Sequence, residues 1–215
     1  YRRLTASESN IYDKDGGVTV FLRYTLRLLT TQQRDRLMKL VVAMEIIRQE
    51  SAKAGNYKYG HTPISIGFWV GGGVTPNRFT EYSLGKPYDK KNFIRKIKNQ
   101  IITCPYCGKE ITEKEYEIDS DRQIVKIHCP DKKCYFGPGK QHFLPVHLVD
   151  EEIYRQCPTV VIATVDKFAQ LPWSEQVGLL FGRTNRFCPR HGFIAEGENH
   201  PQKHRKDTDA HLDAT

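Results

Sequence analysis

The sequence predicts an α/β fold, an open parallel sheet interrupted by a cysteine-rich insert. Three observations carry this. Short continuous runs of β-branched and aromatic residues at 18–22, 64–70 and 159–165 lack polar–apolar alternation, as strands buried on both faces do. Leu37, Leu40, Val41, Met44 and Ile47 recur at helical spacing between the first run and the second. Between the second and third, residues 75–145 are rich in Lys, Tyr, Pro, Gly and Cys and hold four cysteines as C-x2-C and C-x4-C.

The elements follow in order. Residues 1–17 are polar and close on Asp13-Lys14-Asp15-Gly16-Gly17, a turn before the first strand. Thr30 and Thr31 are N-cap residues, and Gln32 and Gln33 open a helix running to about Ser51. Gly55 and Asn56 close it, since both accept left-handed backbone. The second strand stops abruptly at Gly71-Gly72-Gly73. In the insert, Phe93, Ile94, Ile97 and Ile101 form the apolar side of a basic helix near 89–102. Residues 123–127 read as a hairpin strand leading into the second cysteine turn, so the insert is expected to make a small fold around a metal. After the third strand, Leu179, Leu180 and Phe181 end a helix, and from Arg183 onward a polar stretch with four His is expected to be loop. These features divide the chain at 1–74, 75–145, 146–182 and 183–215.

Cys104-Pro-Tyr-Cys107-Gly and Cys129-Pro-Asp-Lys-Lys-Cys134 each set two thiols in a tight turn. Two such turns close a tetrahedral zinc site. Four thiolates leave no open position, which makes the metal structural and gives a segment too small for its own core a reason to fold. Disulfide pairing is disfavoured because a chain of 215 residues needs no such staple. His128, beside Cys129, is either a competing ligand or a solvated side chain. A second cluster, Cys188-Pro-Arg-His191-Gly with His200 and His204, reads either as one thiolate and three imidazoles on zinc or as plain loop. Cys157, beside Pro158, is an ordinary buried thiol.

Thirty-three Lys and Arg against 25 Asp and Glu leave a net charge of +8. That balance fits a basic soluble surface or a nucleic-acid partner; clusters at Lys90, Lys91, Arg95, Lys96 and Lys98 and at 200–206 favour the second. No apolar run reaches the roughly 18 residues of a membrane span, so neither membrane nor secretion is expected and the location is read as cytoplasmic. The chain opens on Tyr1, and is expected to be a piece of a longer protein.

Residues 18–36 (VTVFLRYTLRLLTTQQRDR), the glycines at 71–73 and residues 160–171 (VVIATVDKFAQL) resemble, in this order, superfamily-2 helicases. More narrowly they resemble the helicase of the bacterial DISARM anti-phage system, where a four-cysteine module is likewise inserted. The resemblance implies a partial RecA-like parallel sheet carrying an inserted zinc ribbon. It places motif Ia at Arg23, Tyr24, Thr25 and Arg27, a GG motif at Gly71 and Gly72, and motif Ib at Thr164, Asp166 and Lys167. It implies DNA as partner, held by its backbone without sequence readout, and a companion defence subunit. The physics agrees: loops at strand ends aim N–H groups at phosphates, and Arg, Thr and Lys add hydrogen bonds. Read from the residues alone, the alternatives are ordinary surface charge for Arg23 and Arg27, a flexible turn for the glycines, and caps of the next helix for Thr164 and Asp166.

No G-x4-GK[ST] phosphate loop occurs, since Gly85-Lys86, Gly108-Lys109 and Gly139-Lys140 are followed by Pro, Glu and Gln. Asp150-Glu151-Glu152 is not followed by the His of a magnesium motif. In the family these motifs flank the stretch found here, so ATP and Mg2+ are expected only in a full-length protein, and this segment alone is not expected to hydrolyse ATP. Two other readings stand. One is a zinc-ribbon nucleic-acid-binding or scaffold module without a motor; the other, a nuclease using Cys188, His191 and His200, lacks a carboxylate partner.

Overall fold

The computed structural model describes residues 17–24, 31–70, 73, 75–81, 87–169, 171–173, 176–184, 186–188, 190–195 and 212–213. Strands β1 (Val20–Tyr24), β2 (Ile66–Trp69), β5 (Val146–His147) and β6 (Val160–Thr164) form one parallel sheet in the order β1-β6-β2-β5. The last of these in sequence lies between the first two, pairing Val20 with Val160 on one side and Ile66 with Val160 on the other. All five residues of β6 and all four of β2 are buried, as continuous apolar runs require. Strand β1 differs from expectation. It begins two residues later, reaches Tyr24, and as an edge strand leaves Val20 and Arg23 exposed.

The alternation of β-strand side chains sorts these residues between two layers. Ile66, Phe68, Val160 and Ile162 join Met38, Val41 and Val42 of helix α1 (Thr31–Lys53). Trp69, Val161 and Ala163 join Ile153, Tyr154, Leu179 and Leu180 on the other face. Helix α1 is rotated from the predicted stripe: Leu40 and Ile47 are 55% and 51% exposed, while Met38 and Glu45 are each 2% exposed. Glu45 explains the rotation. Its carboxylate accepts from Arg48 (2.7 and 2.8 Å), from Gln49 (2.8 Å) and from the Ile64 amide (2.7 Å). A buried carboxylate so satisfied ties α1 to the entrance of β2. The helix ends as predicted, with Gly55 at φ +74° and the Asn56 amide donating back to Ser51.

The insert carries α2 (Pro87–Ile97), whose Phe93, Ile94 and Ile97 are buried, and continues through Ile101 to a hairpin of β3 (Tyr116–Asp119) and β4 (Ile124–Ile127). Its buried side chains, among them Phe93, Ile97, Tyr116, Ile127 and Phe136, form one continuous cluster with α1 and the sheet. The hairpin is therefore built against the α1 side of the sheet.

Helix α3 (Asp150–Gln156) grips the hairpin from its other end. Arg155 donates to the Gln123 carbonyl (2.9 Å) and side chain (2.8 Å), holding Gln123 at φ +52°, and the Val125 amide donates to Glu152 (3.3 Å). After β6 come short helices α4 (Val165–Ala169) and α5 (Val177–Leu180). The region from Arg183, expected to be loop, instead contains β7 (Arg186–Cys188), β8 (Gly192–Ile194) and β9 (Leu212–Asp213), antiparallel in the order β8-β7-β9. Strands of two or three residues are too short to carry a periodic signal, and Phe187 against Phe193 (5.1 Å) supplies their cross-strand contact.

Gly67 lets the α3 side approach the sheet, because a Cβ there would meet Pro158 at 2.9 Å and Ile153 at 3.1 Å. Gly67→Ala is expected to destabilise the protein by about 1–3 kcal/mol, the cost of overpacking a filled core. Urea unfolding reads this directly, and an unchanged midpoint would contradict the close approach.

Candidate metal centre and the strand ends of the sheet

Two turns build the cysteine cluster. In the first, Gly108 (φ +78°) donates to the Cys104 carbonyl (2.8 Å), and the Cys104 amide donates to Lys109 (2.7 Å). In the second, Cys134 donates to Asp131 (3.0 Å), Cys129 to Phe136 (2.8 Å) and Gly137 to Cys134 (3.1 Å). Gly137 has no substitute, since a Cβ would lie 2.4 Å from the Asp131 oxygen. The turns bring the four Sγ atoms within 4.8 Å of one another, with Cys104 and Cys134 at 3.8 Å and Cys107 and Cys129 at 3.4 Å. A tetrahedral zinc with bonds of about 2.3 Å needs sulfur–sulfur edges of about 3.8 Å. The separations exceed the roughly 2.05 Å of a disulfide. The donor set therefore fits a metal such as zinc, held in a closed all-sulfur site. His128 is no part of it: its Nε2 faces Glu117 at 3.8 Å and its ring packs on Phe143.

Burial pushes the Cys134 thiol up to about 11 and raises Cys129 further. Burial also opposes ionisation of Cys107, but the Lys109 backbone and the neighbouring thiols outweigh it and hold Cys107 below the ordinary thiol value. Beside the cluster lies an aromatic surface. Tyr135 stacks on His142 (4.9 Å), Lys53 Nζ lies 5.3 Å from the Tyr135 ring, and Tyr106 is 55% exposed 6.3 Å away.

The predicted contact residues follow the sheet. Its strands are parallel, so β1, β6 and β2 finish at one edge, with Tyr24 opposite Thr164 and Trp69 opposite Ala163. Arg23 is exposed there, Tyr24 is half-buried against the α1-side core, and Thr164 is buried. Asp166 is exposed on α4. Thr25, Arg27, Gly71 and Gly72 lie outside the described residues. Lys167 has partners that its sequence position does not reveal: it is buried, ion-paired with Asp150, and donates to Asn77 (3.2 Å). The Asp150-Glu151-Glu152 run likewise serves the fold, with Glu151 accepting from the Phe79 amide (3.0 Å) and Glu152 bonded to His147 (2.9 Å). No local signal marks these acids, because their partners are 70 and more residues away or on other elements.

In the second predicted cluster, Cys188 Sγ and His191 Nδ1 are 3.5 Å apart, and both residues are buried. His200 and His204 lie outside the described residues. Cys157 is the buried thiol its context suggested, at φ +44° and donating to the Leu179 carbonyl (3.5 Å).

No protein-family model matches the chain. The chain is 49% identical over 213 residues to the DISARM protein DrmA of Bacillus paralicheniformis, a match that covers 95% of this chain. At that identity the two are related over the matched stretch. The chain spans 18% of that relative's length.

Two outcomes test the metal centre. Removing the metal by chelation is expected to speed amide exchange across 104–110 and 129–137 first, with α1 still protected; simultaneous loss of protection everywhere would contradict this order. Raised thiols are protonated at neutral pH, and zinc must displace those protons. Affinity is therefore expected to fall as pH falls, by about tenfold per unit for each proton released. Chelator competition at pH 8 and 6.5 measures it, and a pH-independent constant would refute the assignment.

Proposed function

We propose that this chain is the nucleic-acid-gripping part of the first motor domain of an ATP-dependent DNA helicase or translocase, with a structural zinc ion in its ribbon. The whole protein, in this reading, belongs to superfamily 2 and works in DISARM anti-phage defence with a companion subunit. The observation that carries the reading is the shared edge of β1, β6 and β2, from which all three segments with predicted contact residues depart. Ligands of open α/β sheets bind at the carboxyl ends of the strands. There Arg23, with Thr25 and Arg27 of the segment after β1 and Gly71 and Gly72 of the segment after β2, would take the phosphate backbone, which carries charge but no sequence information. Lys167 would position rather than contact, bracing α4 through Asp150 and Asn77. ATP and Mg2+ would be held by other parts of a longer protein, and closure against a second motor domain would advance the grip. Among the described residues no helix is long and apolar enough to cross a membrane; the proposed DNA substrate sets the work in the cytoplasm.

A second reading has its own support: the ribbon serves as a nucleic-acid-binding or scaffold module without motor activity. Exposed Tyr106, the Tyr135–His142 stack and exposed Lys109, Lys132 and Lys133 on the cysteine turns offer aromatic faces and cations of the kind that hold single strands.

Arg23→Ala in the full-length protein is expected to weaken DNA binding equally for all sequences and to reduce the salt slope by about 1. Titrations of two unrelated duplexes at several salt concentrations measure both. Loss confined to one sequence would overturn backbone gripping at this edge. Weakening by Tyr106→Ala with Arg23→Ala silent would favour the second reading.

A further inference from the structure

We propose that Cys188 and His191 are ligands of a second metal centre, separate from the four-cysteine site. The local sequence repeats the first cysteine turn, with Cys188-Pro-Arg-His191-Gly192 matching Cys104-Pro-Tyr-Cys107-Gly108. The repeat extends to the backbone: Gly192 has φ +91° and Gly108 has φ +78°, both left-handed. A Cβ at Gly192 would also lie 2.3 Å from the Arg155 carbonyl oxygen, so the turn is seated against the end of α3.

Among the described residues, two donor atoms are placed for ligation. Cys188 Sγ and His191 Nδ1 are 3.5 Å apart. A tetrahedral zinc with a sulfur bond of about 2.3 Å and a nitrogen bond of about 2.0–2.1 Å spaces two such donors about 3.5 Å apart. The other ring nitrogen settles the tautomer. His191 Nε2 lies 2.7 Å from the Asp121 carbonyl oxygen, which can only accept, so Nε2 carries the proton and the Nδ1 lone pair faces the thiol. An imidazole oriented by a bond from its far nitrogen to a backbone carbonyl is the usual support of a metal-bound histidine. Cys188 and His191 are each 1% exposed, which shields the pair from water. A thiolate with an imidazole selects a borderline ion such as zinc over Mg2+ or Ca2+.

The position suggests what the centre does. Asp121 belongs to the turn between β3 and β4, and Arg190 Nη2 reaches its carboxylate at 3.2 Å. The two cysteine turns flank the β3–β4 hairpin, and the second centre would hold the tip of that hairpin to the three-stranded sheet through His191. The ribbon would then be fastened at both ends.

Zinc content of the purified full-length protein tests this. Cys188→Ser and His191→Ala are each expected to lose one zinc relative to wild type, with the zinc lost in Cys107→Ser still present. His191→Cys, which restores a two-thiolate turn, is expected to keep the wild-type content. After cobalt substitution it should also gain thiolate-to-cobalt absorption over wild type. Wild-type zinc content in both Cys188→Ser and His191→Ala would mean a thiol–imidazole hydrogen bond only, and overturns the proposal. An unaltered cobalt spectrum in His191→Cys overturns it as well, and can be read even where the alanine variant fails to fold.

Discussion

Seating β6 between β1 and β2 is the constraint on which the remaining architecture depends. Five of its residues pair with β1 and four with β2, yet it follows them in the chain by about ninety residues and more. The sheet cannot close until the chain beyond the insert has returned to the gap between β1 and β2. Closing so long a loop costs entropy that only the finished ladders and core return. A metal held by the four cysteines would shorten the effective search, and would give the ribbon a structural role before any role in binding.

Helix α3 converts that constraint into a junction. One short helix carries Asp150 to Lys167 of α4, Glu151 to the Phe79 amide, Glu152 to His147 and Val125, and Arg155 to Gln123. Most of these polar groups are buried, and buried ion pairs add little net stability against well-packed apolar side chains. Their contribution is directional. Each fixes one element relative to α3, so the strand-edge segment after β6 and the tip of the ribbon are held by one support. A rearrangement of either must move α3 or break these bonds. Read with the proposed motor function, that support joins the DNA-facing edge to the insert.

The fold class was legible because it rests on signals that survive in one dimension. The apolar runs around residues 66 and 162 need no knowledge of partners to mark buried parallel strands, and both are fully buried. The four cysteines were legible for a stronger reason: their geometry is set inside two short turns, by Pro and Gly beside the thiols. Misreadings occurred where a partner decided the outcome. Leu40 and Ile47 match the helical stripe but face outward, because Glu45 and its bonds to Arg48 and Ile64 take the inner face. The strands after Arg183 are two or three residues long, below what any periodicity can reveal.

The sequence by itself determined the kind of fold, the position of the insert and the donor set for a metal, all of which are encoded within a few turns of chain. Only the tertiary structure decided that Lys167 is spent on Asp150, that the acidic run at 150–152 holds elements together, and that His191 turns its Nδ1 toward Cys188 while its far nitrogen grips Asp121. A charge or an imidazole is open or committed according to what packs against it, and most of those neighbours lie on other elements.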